Sequence, residues 1–311
     1  MNHLLNLNTI IAVILRYLID LSKRGFLYLF LFSQVLVYSQ ARKRSFVQDE
    51  LGFFGGGSYY IGDINTRTHF LYSKPAGGIY WRHTNHYRYA FRIGVNYGQI
   101  FGDDALSKDA NQTERNLSFK SNVYEFSSLA EFNFVDYRIG NEHENFTFFI
   151  FAGLAGYYFN PKADIGNGDE PLRAYNTEGQ SQSYKRVQLS IPYGIGIKFN
   201  AGEKLGIGIE WGPRKTYTDY LDDVSGTYPG SVVPTDNKNN FTNRTTNASA
   251  SPGSMRGNPT TKDWYFFYGI SLNYKLPSKR GSVCHGSGKQ FRMKKDFFKQ
   301  FHLRNRSSIF K

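Results

Sequence analysis

The chain has 311 residues, a formal net charge of +13 and a single cysteine. That cysteine, Cys284, excludes an intramolecular disulfide framework and a zinc site built on paired cysteines. The charge excludes less than it suggests. Residues 279–311 contribute +9 and residues 1–39 contribute +2, so the body, 40–278, is close to neutral at +2. A nucleic-acid binder carries its basic patch on the folded domain, and no nucleic-acid partner is expected here.

In chain order the first element is an export signal over 1–39. Lys23 and Arg24 form a basic n-region, and 25–39 is an apolar run too short for a comfortable transmembrane helix. Val37 and Ser39 are small enough to precede cleavage before Gln40, with Ala41 as an alternative end. The stretch 9–19 is also apolar but carries Arg16, so a two-helix inner-membrane anchor is the rival reading.

The body holds eight aromatic-rich segments of period two, near 50–61, 75–83, 87–99, 119–135, 145–159, 184–199, 205–216 and 262–276. Long polar connections (62–74, 100–118, 160–183, 217–261) alternate with short ones (84–86, 136–144, 200–204). Neighbouring side chains on a strand point to opposite faces. In the third segment Tyr89, Phe91, Ile93, Val95 and Tyr97 oppose Arg88, Arg92 and Asn96. In the sixth, Val187, Leu189, Ile191, Tyr193 and Ile195 oppose Arg186, Gln188, Ser190 and Lys198. Leu205, Ile207, Ile209 and Trp211 oppose Glu210 and Arg214 in the seventh. In the eighth, Trp264, Phe266, Tyr268, Ile270 and Leu272 oppose Ser271 and Asn273. The first, second and fifth are less clean; in the fifth, for instance, Phe149 and Phe151 are on the face opposite Phe148 and Ile150.

This pattern predicts an all-β fold, an eight-stranded antiparallel up-and-down transmembrane β-barrel over 40–278, in contact with outer-membrane lipids. A soluble lipocalin-type barrel is the alternative, with apolar faces inside and charges outside. Aromatic residues near segment ends and the export signal favour the membrane form, placed in the outer membrane with both termini periplasmic. Eight strands enclose an interior that side chains can fill. The polar-face charges Arg88, Arg92, Glu125, Glu131, Arg186, Lys198, Glu210 and Arg214 are therefore expected to pair inside the barrel as a plug.

No catalytic set emerges. His83 and His86 flank a tight turn and do not read as a metal pair, and neither H-E-x-x-H nor G-x-S-x-G occurs. No cofactor is expected. Asp219, Asp222 and Asp223 open the longest loop and read as solvated or hydrogen-bonded acids, with Arg214 or Lys215 pairing with one of them. The loop's middle, 237–259, is rich in Asn, Thr, Ser and Gly and reads as flexible. The tail 279–311 reads as disordered and basic; its alternative is a weak amphipathic helix with Phe297, Phe298 and Phe301 on one face.

Five stretches carry a resemblance: GGGSYYIGD at 55–63, RNLSFKS at 115–121, FNPK at 159–162, TEGQ at 177–180 and RKTYTDYLDDVSGTY at 214–228. In order along 49–276, they resemble a family of Bacteroidetes outer-membrane barrels that includes PorG of the type IX secretion system. The resemblance implies a non-enzymatic barrel that anchors a periplasmic assembly, with ring proteins of the PorK and PorN kind as partners. It singles out Thr216, Asp219, Asp222, Asp223, Ser225 and Gly226 as a family-motif loop. A stand-alone barrel of OmpA or OmpX type, serving envelope stability or adhesion, is the second reading, and an outer-membrane lipid acyltransferase or protease the third.

Overall fold

A computed structural model describes residues 47–164, 166, 168–230, 241–245 and 251–277. The expected leader and the whole of the basic tail, with Cys284, lie outside the described residues. Eight long strands form the wall: β1 (Gln48–Ile61), β2 (Lys74–His86), β3 (Tyr89–Asp103), β4 (Ser118–Asn133), β5 (Phe146–Tyr158), β8 (Val187–Asn200), β9 (Leu205–Thr216) and β10 (Trp264–Lys275). A short ribbon, β6 (Pro161–Asp164) and β7 (Asp169–Pro171), continues above β4. Each wall strand pairs antiparallel with the next, and β1 pairs with β10 from Glu50 opposite Lys275 to Ile61 opposite Trp264. The sheet therefore closes on itself, giving the all-β, eight-stranded antiparallel barrel that the sequence predicts. Closure pairs both edges of every wall strand, a requirement in lipid, where no water can satisfy an open edge.

The alternation sets the two faces. On β3, Tyr89, Phe91, Val95 and Tyr97 are exposed on the outside while Arg92 is buried inside. Phe126, Phe148, Ile150, Leu154, Leu189, Ile195, Ile270 and Leu272 extend the same apolar outer surface around the wall. Apolar side chains outside and charges inside is the arrangement of a lipid-exposed barrel and the reverse of a lipocalin. Phe149 and Phe151, which broke the alternation of the fifth segment, point inward. Glycines opposite make room for them: a Cβ on Gly196 would come within 2.5 Å of the Phe149 ring, and one on Gly194 within 2.5 Å of Phe151.

Both ends of the barrel are occupied. At the end of the short turns, the connection after β4 folds back into the mouth. Tyr137 and Ile139 are buried there, and a Cβ on Gly206 of β9 would meet the Tyr137 hydroxyl at 2.6 Å and Ile139 at 2.9 Å. Asn200 and Lys275 hold this segment by donating to the carbonyls of Arg138 and Ile139. At the other end, the four long connections fold together into a cap. One apolar core runs from lumen into cap, from Phe54, Tyr265 and Phe267 through Phe119 and Phe159 to Leu221, Val224 and Phe241. The expectation that 237–259 is flexible is corrected within the described residues. Phe241 and Arg256 are both buried, because an aromatic ring and a guanidinium found partners that composition does not register.

Candidate functional site: a charge-filled lumen and a buried cap

The lumen holds a layered ion-pair network. Glu131 is its centre: Arg82 Nε lies 2.9 Å from it, Arg92 Nε 3.1 Å and Lys198 Nζ 2.6 Å. Arg92 reaches up to Glu210 at 2.7 Å, and Arg82 reaches down to Glu50 at 2.7 Å. Three cations thus face three carboxylates, and the layer is neutral. One step towards the cap, Arg214 pairs with Glu125 at 3.1 Å, and Glu125 also accepts from the Tyr265 hydroxyl and the Asn96 amide. The cations also lie over aromatic faces, Lys198 over Phe149 at 4.1 Å and Arg92 over Phe151 at 5.0 Å. Such contacts add attraction where water is excluded.

Of the eight charges expected here, the structure brings together Arg92, Glu125, Glu131, Lys198, Glu210 and Arg214. Arg88 and Arg186 are corrections. Arg88 falls in the turn between β2 and β3 and pairs with Asp136 at 3.1 Å. Arg186 precedes β8 and lies on the outside, across the Tyr158 ring at 5.5 Å. Both sit just past a strand end, where alternation no longer assigns a face. Sequence reasoning missed Glu50, Arg82 and Tyr80, and put Asn273 on the polar face without joining it to the network. The Tyr80 hydroxyl and the Arg82 guanidinium both donate to Asn273 Oδ1. The available signal was the same alternation, with Arg82 between the outward Trp81 and His83.

The cap joins residues of the five stretches singled out in the sequence to Asp104, Tyr184, Arg256 and Asp263 from the segments around them. Arg115 grips both oxygens of Asp104, at 2.7 and 2.8 Å, and donates to the carbonyls of Asp63 and Arg256. Glu178 accepts from the amides of Ser225 and Gly226 and from Arg256. Thr177 and Tyr184 donate to the two carboxylate oxygens of Asp223, and the Asp223 carbonyl accepts from Arg256. Asp223 adopts φ 66°, a left-handed conformation that aspartate tolerates better than most residues. The Ser225 hydroxyl donates to Asp219, and Thr216 donates to the carbonyl of Asp263. Thr216, Asp219, Asp222, Asp223 and Ser225 are all buried, so these acids are hydrogen-bonded in a packed interior. The expected pairing of Arg214 or Lys215 with one of them does not form. Arg214 points down the lumen to Glu125, and Lys215 is exposed on the outer wall.

Burial raises the pKa values of the cap carboxyls, because desolvation disfavours the charged form more than the nearby cations favour it. Desolvation lifts Asp63 and Asp223 to about 6, and lifts Asp222 and Asp263 well above the usual carboxylate range. The Tyr60 hydroxyl contacts both Asp222 and Asp263. A hydroxyl has one proton to give, so it cannot fully satisfy two ionised carboxylates, in keeping with the raised pKa of both. Among the described residues no group of three or more His, Cys, Asp or Glu side chains is arranged to hold a metal ion. The lumen charges are paired in ion bridges, and the cap acids are held by hydrogen bonds in a packed interior.

Three solved structures illustrate what the fold is similar to. The N-terminal β-barrel domain of Pseudomonas aeruginosa OprF is 10% identical, covers 75% of this chain and 100% of its own, and has a TM-score of 0.34. Ail, the attachment invasion locus protein of Yersinia pestis, in complex with sucrose octasulfate, is 10% identical with the same coverage and a TM-score of 0.35. Neisserial surface protein A is 7% identical, again over 75% and 100%, with a TM-score of 0.36. The fold is carried by the strand pairing described above and not by these likenesses. No curated protein matches the sequence. A family described as a domain of unknown function (DUF6089) matches residues 23–285, and the chain belongs to that family.

Proposed function

We propose that this protein is a non-enzymatic barrel of the outer membrane, with its cap outside and its turns and termini in the periplasm. The observation that carries this reading is a closed barrel with an apolar outer wall and an interior filled from one mouth to the other. Side chains fill an eight-stranded interior of this kind as a plug, which supports an anchoring role over a transporting one. What the molecule offers is a rigid membrane-fixed body with two presented surfaces. In the finer form of the proposal it anchors a periplasmic assembly of the type IX secretion kind, with ring proteins such as PorK and PorN as partners. The support is the order of the five family-like stretches and their convergence on one structural unit. The partner would meet the turns 87–88, 134–145 and 201–204 and the chain ends, so the contact would be small unless the tail contributes.

Deletion of the gene should block export of type IX cargo, and pull-down of the barrel should recover periplasmic ring subunits. Normal cargo export in a strain without a redundant paralogue would overturn the finer form. It would favour a stand-alone barrel of OmpA or OmpX type that presents its cap to the exterior. One observation already favours that second reading: the long loops fold into a core continuous with the lumen, giving a fixed outer surface. Orientation is tested separately. Protease added to intact cells should cut within 217–261, the longest connection, since long loops are preferred sites of nicking. Cleavage confined to the turn at 134–145 would invert the topology.

A further inference from the structure

On one side of the barrel the outer wall changes character in a way that suits a particular lipid. Tyr97, Tyr124 and Tyr158 stand side by side across β3, β4 and β5, paired in register, with ring centroids 5.2 and 6.2 Å apart. Below this row, away from the cap, the wall is hollowed into a groove of about 650 Å³. The hollow exists because Gly156 carries no side chain; a Cβ there would meet nothing within 4 Å. Val95, Phe126 and Val187, each about half exposed or more, form its apolar walls.

Above the row, towards the cap, the side chains turn polar and then cationic. Gln99 and Asn122 come first and are hydrogen-bonded to each other. Next, Lys120 of β4 stands directly opposite Lys162 of β6. Like charges directly opposite on neighbouring strands repel. Asp169 reaches Lys120 at 2.5 Å, but among the described residues no carboxylate forms a salt bridge with Lys162 or Arg186. Arg186 lies over the Tyr158 ring, at the junction of the tyrosine row and the cationic tier. Lys162 and Arg186, without a carboxylate salt bridge among the described residues although Asp164, Asp169 and Glu170 lie on the same ribbon, stand over an amphipathic aromatic row above an apolar groove, an arrangement complementary to a phosphate on an acyl chain.

We propose that this face binds an anionic, phosphate-bearing membrane lipid of the leaflet at the cap end. One acyl chain lies in the groove beside Gly156, the tyrosine hydroxyls sit at the ester level, and the phosphate meets Lys162 and Arg186. Cations near a membrane surface attract anionic lipid by about 1 kcal/mol each, and the groove adds shape to that charge. The inference rests on the barrel being embedded in a bilayer.

The test uses the full-length protein, stripped of lipid in detergent and offered phosphatidylglycerol or phosphatidylcholine, with native mass spectrometry reading retained lipid. The wild type should retain phosphatidylglycerol in preference. The double variant Lys162→Gln/Arg186→Gln should lose that preference by roughly thirtyfold, the equivalent of about 2 kcal/mol, with phosphatidylcholine retention unchanged. Gly156→Leu, which fills the groove, should lower retention of both lipids. Equal retention of the two lipids by the wild type would overturn the proposal. So would binding of inorganic phosphate alone that Gly156→Leu leaves intact, since that is a free-anion site. Each variant is checked for the gel-mobility change on boiling that marks a folded barrel. Insertion into vesicles is scored in parallel: a wild type that does not insert refutes the membrane reading, whereas one that inserts without preference refutes only this one.

Discussion

Tyr60, at the cap end of β1, donates its hydroxyl to the carboxylate of Asp222, 162 positions further along the chain. Both residues are buried, and Asp263 closes the contact from the third side. This junction ties the first barrel strand to the longest loop and to the start of the last strand. Tyr60→Phe should leave Asp222 without its side-chain donor and cost about 1–3 kcal/mol, the usual penalty for an unsatisfied buried polar group. The loss should appear as faster hydrogen exchange of the amides of Leu221 and Val224, with the lower half of the barrel unaffected.

The same junction makes the cap sensitive to pH. Asp63 and Asp223 are raised to about 6 by burial, and Asp222 and Asp263 further. Carboxyls raised above their unfolded value hold more protons in the folded state. Their stabilisation is complete below the ordinary value of 3.8 and is lost as pH rises through the folded values. Protection of the cap amides should therefore be higher at about pH 5 than at about pH 8, the sign opposite to that of a salt-bridged carboxylate. Asp222→Asn should flatten the profile; a profile that rises with pH would show that the cap acids are ionised and paired.

Glu131 carries the heaviest duty in the lumen, since Arg82, Arg92 and Lys198 all converge on it. Glu131→Ala leaves buried Lys198 without a carboxylate and removes one partner each from Arg82 and Arg92, which keep Glu50 and Glu210; stranding a buried charge costs about 3–5 kcal/mol. The temperature at which the barrel loses its compact gel mobility should fall well below that of Glu203→Ala, a change at an exposed turn residue. Equal temperatures would mean that water reaches the layer.

Closure of the mouth by Tyr137 and Ile139 predicts electrical silence. The purified barrel should give no steady conductance in a planar bilayer. The single variants Tyr137→Ala and Ile139→Ala should stay silent too, because the Glu131 layer lies above the mouth. Ile139→Ala should nevertheless destabilise by about 2–5 kcal/mol through the cavity it leaves.

The sequence by itself determined the wall. A period of two decides which side chains face out, so strand count, the apolar exterior and six of the expected lumen charges were legible in it. That rule ends where a strand ends. Arg88 and Arg186 carry the right charge at the right parity, yet each lies past the last paired residue and leaves the lumen. Glu50 and Arg82 obeyed the rule but belonged to less regular segments. Only the tertiary structure decided the cap. The stretches at 55–63, 115–121, 159–162, 177–180 and 214–228 look like separate loop motifs in one dimension. Their meaning lies in contacts such as Thr177 with Asp223 and Arg115 with the Asp63 carbonyl. A loop has no periodicity to announce what it packs against. Its buried acids look like solvated ones until the chain brings their donors to them.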